Sequence, residues 1–330
     1  MSKYKIKKLK ENVLKFLDKC EFYDCNYRLS TNSEISPYAT CFAVFTRNLI
    51  KDQTLKNDSN KFEKNIINSI KKEHLKMNLR GKPFRQLLCF SLSALSILDE
   101  SKPALLNDYV KEQLSLYHPD KPLNELGSLE GIPGSGNQAM FYAVFLIHAR
   151  KYLDINTSLE IDNWISNHIL YTNSFGLWGK TNNLKHLHFQ NGYHQYEIID
   201  FLGIKNNKLW KYKNQLINLA DQYGHFAPII GGGGCYDYDA IFLLTSSNIK
   251  KDKELEKILS KIKENLILMQ NKDGGFPENK LVKAGLAKAT HLLGVTPFVT
   301  LVNFSGQSSA NSGRSCLLIR SECRAATPLM

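Results

Sequence analysis

The sequence predicts an all-α fold, an (α/α)6 toroid of six helical hairpins with a repeat of about 48 residues. Three observations predict it. A Gly-x-[Trp/Phe] pattern recurs at Gly176-Leu177-Trp178, Gly224-His225-Phe226 and Gly274-Gly275-Phe276, with 48 and 50 residues between successive glycines. Earlier steps of similar length land on Gly127, with Leu129 in the aromatic slot, then on Gly81, then near Leu29 to Ser36. Between these turns, Lys-rich amphipathic segments alternate with segments apolar on most sides, the pattern of half-exposed helices alternating with buried ones. A β-propeller of this period would need about four short strands per unit, and strand-like alternation is scarce. An open helical solenoid is the competing architecture.

The outer helices are expected at 5–20, 60–76, 104–116, 158–170, 207–222 and 252–271. The first places Ile6, Leu9, Val13 and Leu17 on one face, so it reads as a core-facing helix. The inner helices are expected at 37–50, 85–98, 136–152, 190–203, 235–247 and about 284–295. Ser36-Pro37 opens the first with a capping serine and a proline in the first turn. The second starts with Arg85 and Gln86 and becomes Ser-rich. The third follows a Gly131 to Gly136 segment that reads as flexible and has no lysine placed for a phosphate loop. The sixth carries Lys288 and His291 and is broken by Pro297.

Polar residues gather at the start of the inner helices. Asn137 and Gln138 open the third; Gln190, His194 and Glu197 share a face of the fourth, with Asn191 and Tyr193 beside them. The fifth follows four glycines, Gly231 to Gly234, and carries Cys235, Asp237, Tyr238 and Asp239 in its first turns. There the helix dipole favours carboxylates. Were the buried helices an inner ring, these groups and His291 would line the mouth of a central cavity. Phe42, Phe45, Phe141, Tyr142, Tyr196 and Phe242 would wall it further down. Singly, each polar residue has a bland reading, as a helix cap or a paired core group; together they imply a structural network or a ligand site. His148 and His168 read as core histidines.

Composition bounds the partners. At 330 residues and 43% apolar, the chain can bury a large core. Its charge of +12 is spread out, with no stripe interleaving Arg and aromatics, so a solvated surface is expected and no nucleic acid. No run approaches the length of a membrane span. Seven cysteines with no CxxC argue for a reducing compartment. With a start too charged for a signal peptide, a cytoplasmic location is expected. Residues 1–302 read as one toroid domain. Residues 303–330 lose the Lys, Asn and Ile bias and read as a disordered or non-native tail.

The run Gln270 to Phe276, QNKDGGF, resembles the Q-x3-G-x-W/F repeat of the terpenoid-cyclase and protein-prenyltransferase toroids. Weaker copies lie at 175–178 and 223–226. The resemblance covers most of residues 29–301 as an architecture, and at motif level the turns alone. Class II cyclases carry Asp-x-Asp-Asp at the start of an inner helix, and Asp237-Tyr238-Asp239-Ala240 matches it with Asp239 as donor and Ala240 in place of the last Asp. The resemblance therefore implies an acid-initiated reaction by Asp239, assisted by Asp237 and His194. Gly234-Cys235-Tyr236 is similar to part of the prenyltransferase zinc site, which would place zinc on Cys235, Asp237 and His291; the family's Asp position is Gly233 here. No cofactor is expected otherwise. Polysaccharide lyases and glycosidases share the toroid, which keeps open a glycan substrate handled by Asn191, Tyr193, His194 and Glu197. A non-catalytic toroid binding a peptide or protein is the third reading.

Overall fold

The computed structural model describes residues 3–116, 135–179, 186–228, 230–231, 234–246 and 248–277. The chain is all-α apart from one small hairpin. Helix α1 (Lys3–Cys20) leads into strands β1 (Glu21–Tyr23) and β2 (Asn26–Tyr27), then α2 (Pro37–Ile50), α3 (Thr54–Asn57), α4 (Ser59–His74) and α5 (Lys82–Leu98). A 3-10 turn (Lys102–Leu106) precedes α6 (Asn107–Leu116) and α7 (Ser135–Tyr152). The described chain closes with α8 (Ser158–Leu170), α9 (His186–Phe201), α10 (Lys213–Ile217), α11 (Gly234–Thr245) and α12 (Lys253–Met269). None of the described helices is long and apolar enough to cross a membrane.

The apolar segments form the most buried of the described helices. They pack in sequence order, α2 on α5, α5 on α7, α7 on α9 and α9 on α11, while α4 and α6 lie against α5 and α7. In α7, thirteen of eighteen residues are buried, because both flanks and the outer side are covered. The amphipathic helices α4 and α12 instead bury one stripe each, Phe62, Ile66 and Ile70 in the first and Leu255, Ile262, Leu266 and Met269 in the second. Arg47, 5% exposed at the end of α2, ties this helix to its surroundings. It bonds Asp18 of α1 at 2.8 Å, the Tyr27 hydroxyl at 3.0 Å, and Asp52.

The repeat turns share one construction. In each, a glycine amide donates to the carbonyl of the residue three before it: Gly81 to Asn78, Gly176 to Asn173, Gly224 to Asp221 and Gly274 to Asn271, all at 2.9–3.0 Å. The side chains of Asn78, Asn173 and Asp221 also accept from the amide two residues on, an Asx turn. The last three glycines have φ of +73°, +88° and +98°, which no other side chain adopts cheaply. The signature is therefore Asx-x-x-Gly, and the sequence carries it at Asn124 and Gly127 too, a pair outside the described residues. Near the start, Cys25 takes the positive φ (63°) and Tyr27, 1% exposed, takes the buried aromatic slot. This is the tight turn of the β1–β2 hairpin, ahead of the predicted 29–36, with Asp24 also at positive φ and the Cys25 amide donating to the Glu21 carboxylate.

Each of the last three turns is pressed against the outer segment that follows. A side chain at Gly176 would strike the Lys208 carbonyl at 2.8 Å, and one at Gly224 would touch Ile262 of α12. One at Gly274 would come within 2.0 Å of the Asn12 carbonyl, in α1. Gln270 completes this last contact: its amide donates to Leu9 O and its oxygen accepts from Asn12 Nδ2 at 3.1 Å. The two ends of the described chain meet there.

Two predicted elements differ. The outer helix expected at 207–222 shrinks to the five residues of α10. Trp210 adopts φ of +64°, and its ring packs on Tyr196 at 4.5 Å, so aromatic packing outweighs helix propensity in that stretch. Ser36 precedes α2 as expected but makes no side-chain cap bond. The sixth inner helix with Lys288, His291 and Pro297, and the tail from 303, lie outside the described residues.

Candidate functional site

The N-terminal ends of α5, α7 and α11 and the middle of α9 bring the polar residues together. The approach of α7 to α9 comes from Gly136: a Cβ there would lie 2.3 Å from the Asn191 carbonyl. The segment read as flexible thus ends in a glycine that lets two helix backbones touch. The next residue of α9, Gly192, instead makes room for a side chain, since a Cβ there would meet Leu177 Cδ2 of the preceding turn.

That contact aligns a chain of hydrogen bonds. Lys82 Nζ donates to Asn137 Oδ1 at 3.4 Å, and Asn137 Nδ2 lies 2.7 Å from His194 Nε2. Since the Asn137 oxygen serves Lys82, its amide donates to Nε2, and the His194 proton resides on Nδ1. Nδ1 lies 3.4 Å from Glu197 Oε2, and Oε1 of the same carboxyl accepts from the Tyr193 hydroxyl at 2.6 Å. Glu197 is 4% exposed with both oxygens engaged.

Asp237 and Asp239 are two residues apart, so they leave α11 on nearly opposite sides. Asp237, 1% exposed, turns to the preceding loop, where Oδ2 meets His225 Nδ1 at 2.7 Å and Oδ1 accepts from the Phe226 amide at 2.8 Å. It joins the repeat turn to the start of α11. Asp239 is 4% exposed, and its carboxyl has no hydrogen-bond partner among the described residues. Burial raises its pKa well above the ordinary carboxylate range, Glu197 and Asp237 raise it further, and Lys82 lowers it. The surroundings thus favour the neutral form of Asp239, in a place where the buried carboxyls of Asp237 and Glu197 are hydrogen-bonded.

The remaining expected residues fall into three places. Gln138 accepts from Arg85 Nη1 at 3.0 Å, and Gln190 reaches Cys235 Sγ at 4.0 Å, so both stand at the same end as His194. Asn191 is 2% exposed at the α7–α9 contact, and its carbonyl accepts from Gln195. Tyr238 packs on the Tyr193 ring at 5.7 Å, and Phe242 on the same ring at 5.2 Å. Below the polar end, Phe42, Phe45 and Phe90 form an edge-to-face cluster with centroids 5.3–6.2 Å apart. Phe141 and Tyr196, expected on the cavity wall, are fully buried instead; the Tyr196 hydroxyl is bonded to the Gly176 carbonyl on the far side of α9. His168 is sandwiched between Trp164 and Trp178 and bonded to Gln195, and His148 bonds Asn107 at 2.8 Å, both in the core.

Lys82 and Phe90 were not singled out in the sequence, and Arg85 stood out there only as a polar start to its helix. Arg85, 7% exposed, is bonded to Gln113 and Gln138. A signal existed: Gln86, Gln138 and Gln190 recur at intervals of 52, each with Phe90, Tyr142 or His194 four residues on.

For zinc, the donor set does not assemble among the described residues. No three His, Cys, Asp or Glu side chains there are grouped to hold a metal. Asp237 gives both oxygens to His225 and Phe226, away from Cys235, and His291 lies outside the described residues.

No protein-family model, curated protein or solved structure matches the chain.

Proposed function

We propose that the chain is an enzyme built as a closed ring of six helical hairpins, in which Asp239 delivers a proton to a substrate at the polar end of the inner helices. The observation that carries the reading is the Asp239 carboxyl: buried, with its pKa raised by burial, and free of hydrogen-bond partners among the described residues. A carboxylic acid kept neutral by its surroundings is what acid-initiated chemistry requires. The aromatic faces of Tyr193, Tyr238 and Phe242 suit an unsaturated, apolar substrate whose cation they would stabilise. This is the terpenoid-cyclase or prenyltransferase-like reading. Closure of the ring is supported by the docking of the last turn on α1.

In this mechanism Asp239 gives up its proton, and Glu197 and Asp237, by their negative field, hold that proton in place until substrate arrives. Glu197 is fixed by Tyr193 and His194, and His194 by Asn137. The bonded Glu197 group also favours a second reading, a glycan lyase or hydrolase in which Asp239 is the acid and the Tyr193–His194–Glu197 set handles the opposite face.

A thermal-shift panel with prenyl diphosphates and neutral oligosaccharides, on wild type and Asp239→Asn, tests both. A shift of several degrees with prenyl compounds alone, together with product formation that Asp239→Asn abolishes, is expected. Shifts with oligosaccharides alone promote the second reading. No shift with either overturns the enzyme reading.

A further inference from the structure

Lys82 is a cation that the acid reading does not use. It lies in the first turn of α5, where a positive charge opposes the helix dipole. It is half-buried, and its one hydrogen bond among the described residues is the 3.4 Å contact to Asn137. An ammonium has three N–H donors, so at least two have no protein acceptor among the described residues. Two other half-buried lysines, by contrast, are paired: Lys102 with Glu63 at 2.9 Å and with Ser59, and Lys213 with Asp252. Lys82 has no carboxylate within ion-pair distance among the described residues. The acidic groups it feels are Cys235 first and then Asp239, whose own pKa is raised, and Glu197 is occupied by Tyr193 and His194.

The surroundings favour a negative guest. Gly81, the N-cap of α5, supplies no side-chain oxygen, which leaves the first-turn amides without a side-chain cap. The first turns of α5 and α7 meet at the Lys82–Asn137 bond, so two positive helix ends add to the ammonium. Burial pulls the Lys82 pKa down, the signature of a charge with too little compensation. An oxyanion seated there would supply it.

We propose that Lys82 is the anchor for an oxyanion of the substrate, a carboxylate or a phosphate, held at the α5–α7 end within electrostatic reach of Asp239. The proposal rests on the reading of this end as a ligand site and adds the substrate's charge. A neutral hydrocarbon or neutral sugar would leave Lys82 uncompensated. An anionic group would fix the distance of the reacting atom from the acid.

The test is titration of the full chain at pH 7 with inorganic phosphate and, separately, acetate, followed by calorimetry and melting temperature. Wild type, Lys82→Met, Lys82→Arg and Asp239→Asn are compared. Saturable binding by wild type is expected, weakened about tenfold or more in Lys82→Met, largely restored in Lys82→Arg and kept in Asp239→Asn. Phosphate alone points to a phosphoester substrate, and acetate alone to a carboxylate. Absence of binding by either anion, or equal affinity in a folded Lys82→Met, overturns the anchor. The acid reading fails separately, when Asp239→Asn retains turnover.

Discussion

Asn137 Nδ2 lies 2.7 Å from His194 Nε2, and the residue before Asn137 is the glycine on which α9 rests. One bond and one missing side chain therefore set the distance between α7 and α9 at the site.

Gly136→Ala should separate the two helices. The new methyl would sit 2.3 Å from the Asn191 carbonyl, a backbone atom that cannot turn aside. A loss of about 1–3 kcal/mol in urea unfolding is expected, as for overpacking elsewhere. The His194 ring resonances should move with it, as Asn137 withdraws. Unchanged stability would mean that the helices do not touch there.

Asp239→Asn should stabilise the protein at neutral pH. The folded pKa is raised above the unfolded value of 3.8, so the folded state binds the extra proton. That contribution is complete below 3.8 and is lost as pH rises through the folded pKa, at about 1.4 kcal/mol per pH unit. Asparagine has no such loss. Melting curves of the two proteins should coincide near pH 3 and diverge toward pH 7, with the variant higher; parallel curves would refute the assignment.

The core histidines act in the opposite sense. Burial lowers His148 to about 4 and His168 to about 3, from 6.5. Below pH 6.5 the unfolded chain takes up protons that the folded one refuses, so stability falls on acidification until those folded values are reached. Each should cost about 1.4 kcal/mol per pH unit over that window. Urea midpoints between pH 7 and 5 measure it, and a flat profile would contradict the burial of both rings.

Two glycines with positive φ separate backbone strain from contact. Gly203 has φ of +70° with nothing within 4 Å of a Cβ, whereas Gly274 has φ of +98° and the Asn12 carbonyl at 2.0 Å. Gly203→Ala should cost about 1–2 kcal/mol, the strain of the left-handed conformation. Gly274→Ala should cost more than that by the displacement of α1, read as faster hydrogen exchange in residues 9–16. Equal losses would show that the α1 contact contributes nothing.

The fold class was legible because its punctuation is chemical. A glycine forced to positive φ and an aromatic in the core left marks at 176, 224 and 274 that survive between divergent helices. At 24–25 a hairpin turn uses Asp24 and Cys25 at positive φ in place of glycine, so nothing in composition betrays it. The helix predicted at 207–222 failed because Trp210 and Tyr212 serve Tyr196, a long-range contact that local pattern does not encode. At the site, helical spacing placed His194 and Glu197 on one face, and the hydrogen bond between them is the result. The same spacing gave no sign that Asp237 and Asp239 diverge in use, since that depends on His225 arriving from the loop. Lys82 was hidden among many surface lysines, and what sets it apart is its half-buried place beside Asn137, where α5 meets α7.

The docking of Gly274 and Gln270 on α1 changes how this repeat array should come apart. A linear stack of hairpins frays from its outermost units, each stabilised by one neighbour. Here the turn at 270–276 leans on residues 9–16, so the first described helix also supports the last described turn. Damage to either end exposes the other, and loss of α1 would be felt some 260 residues away before it was felt at α5.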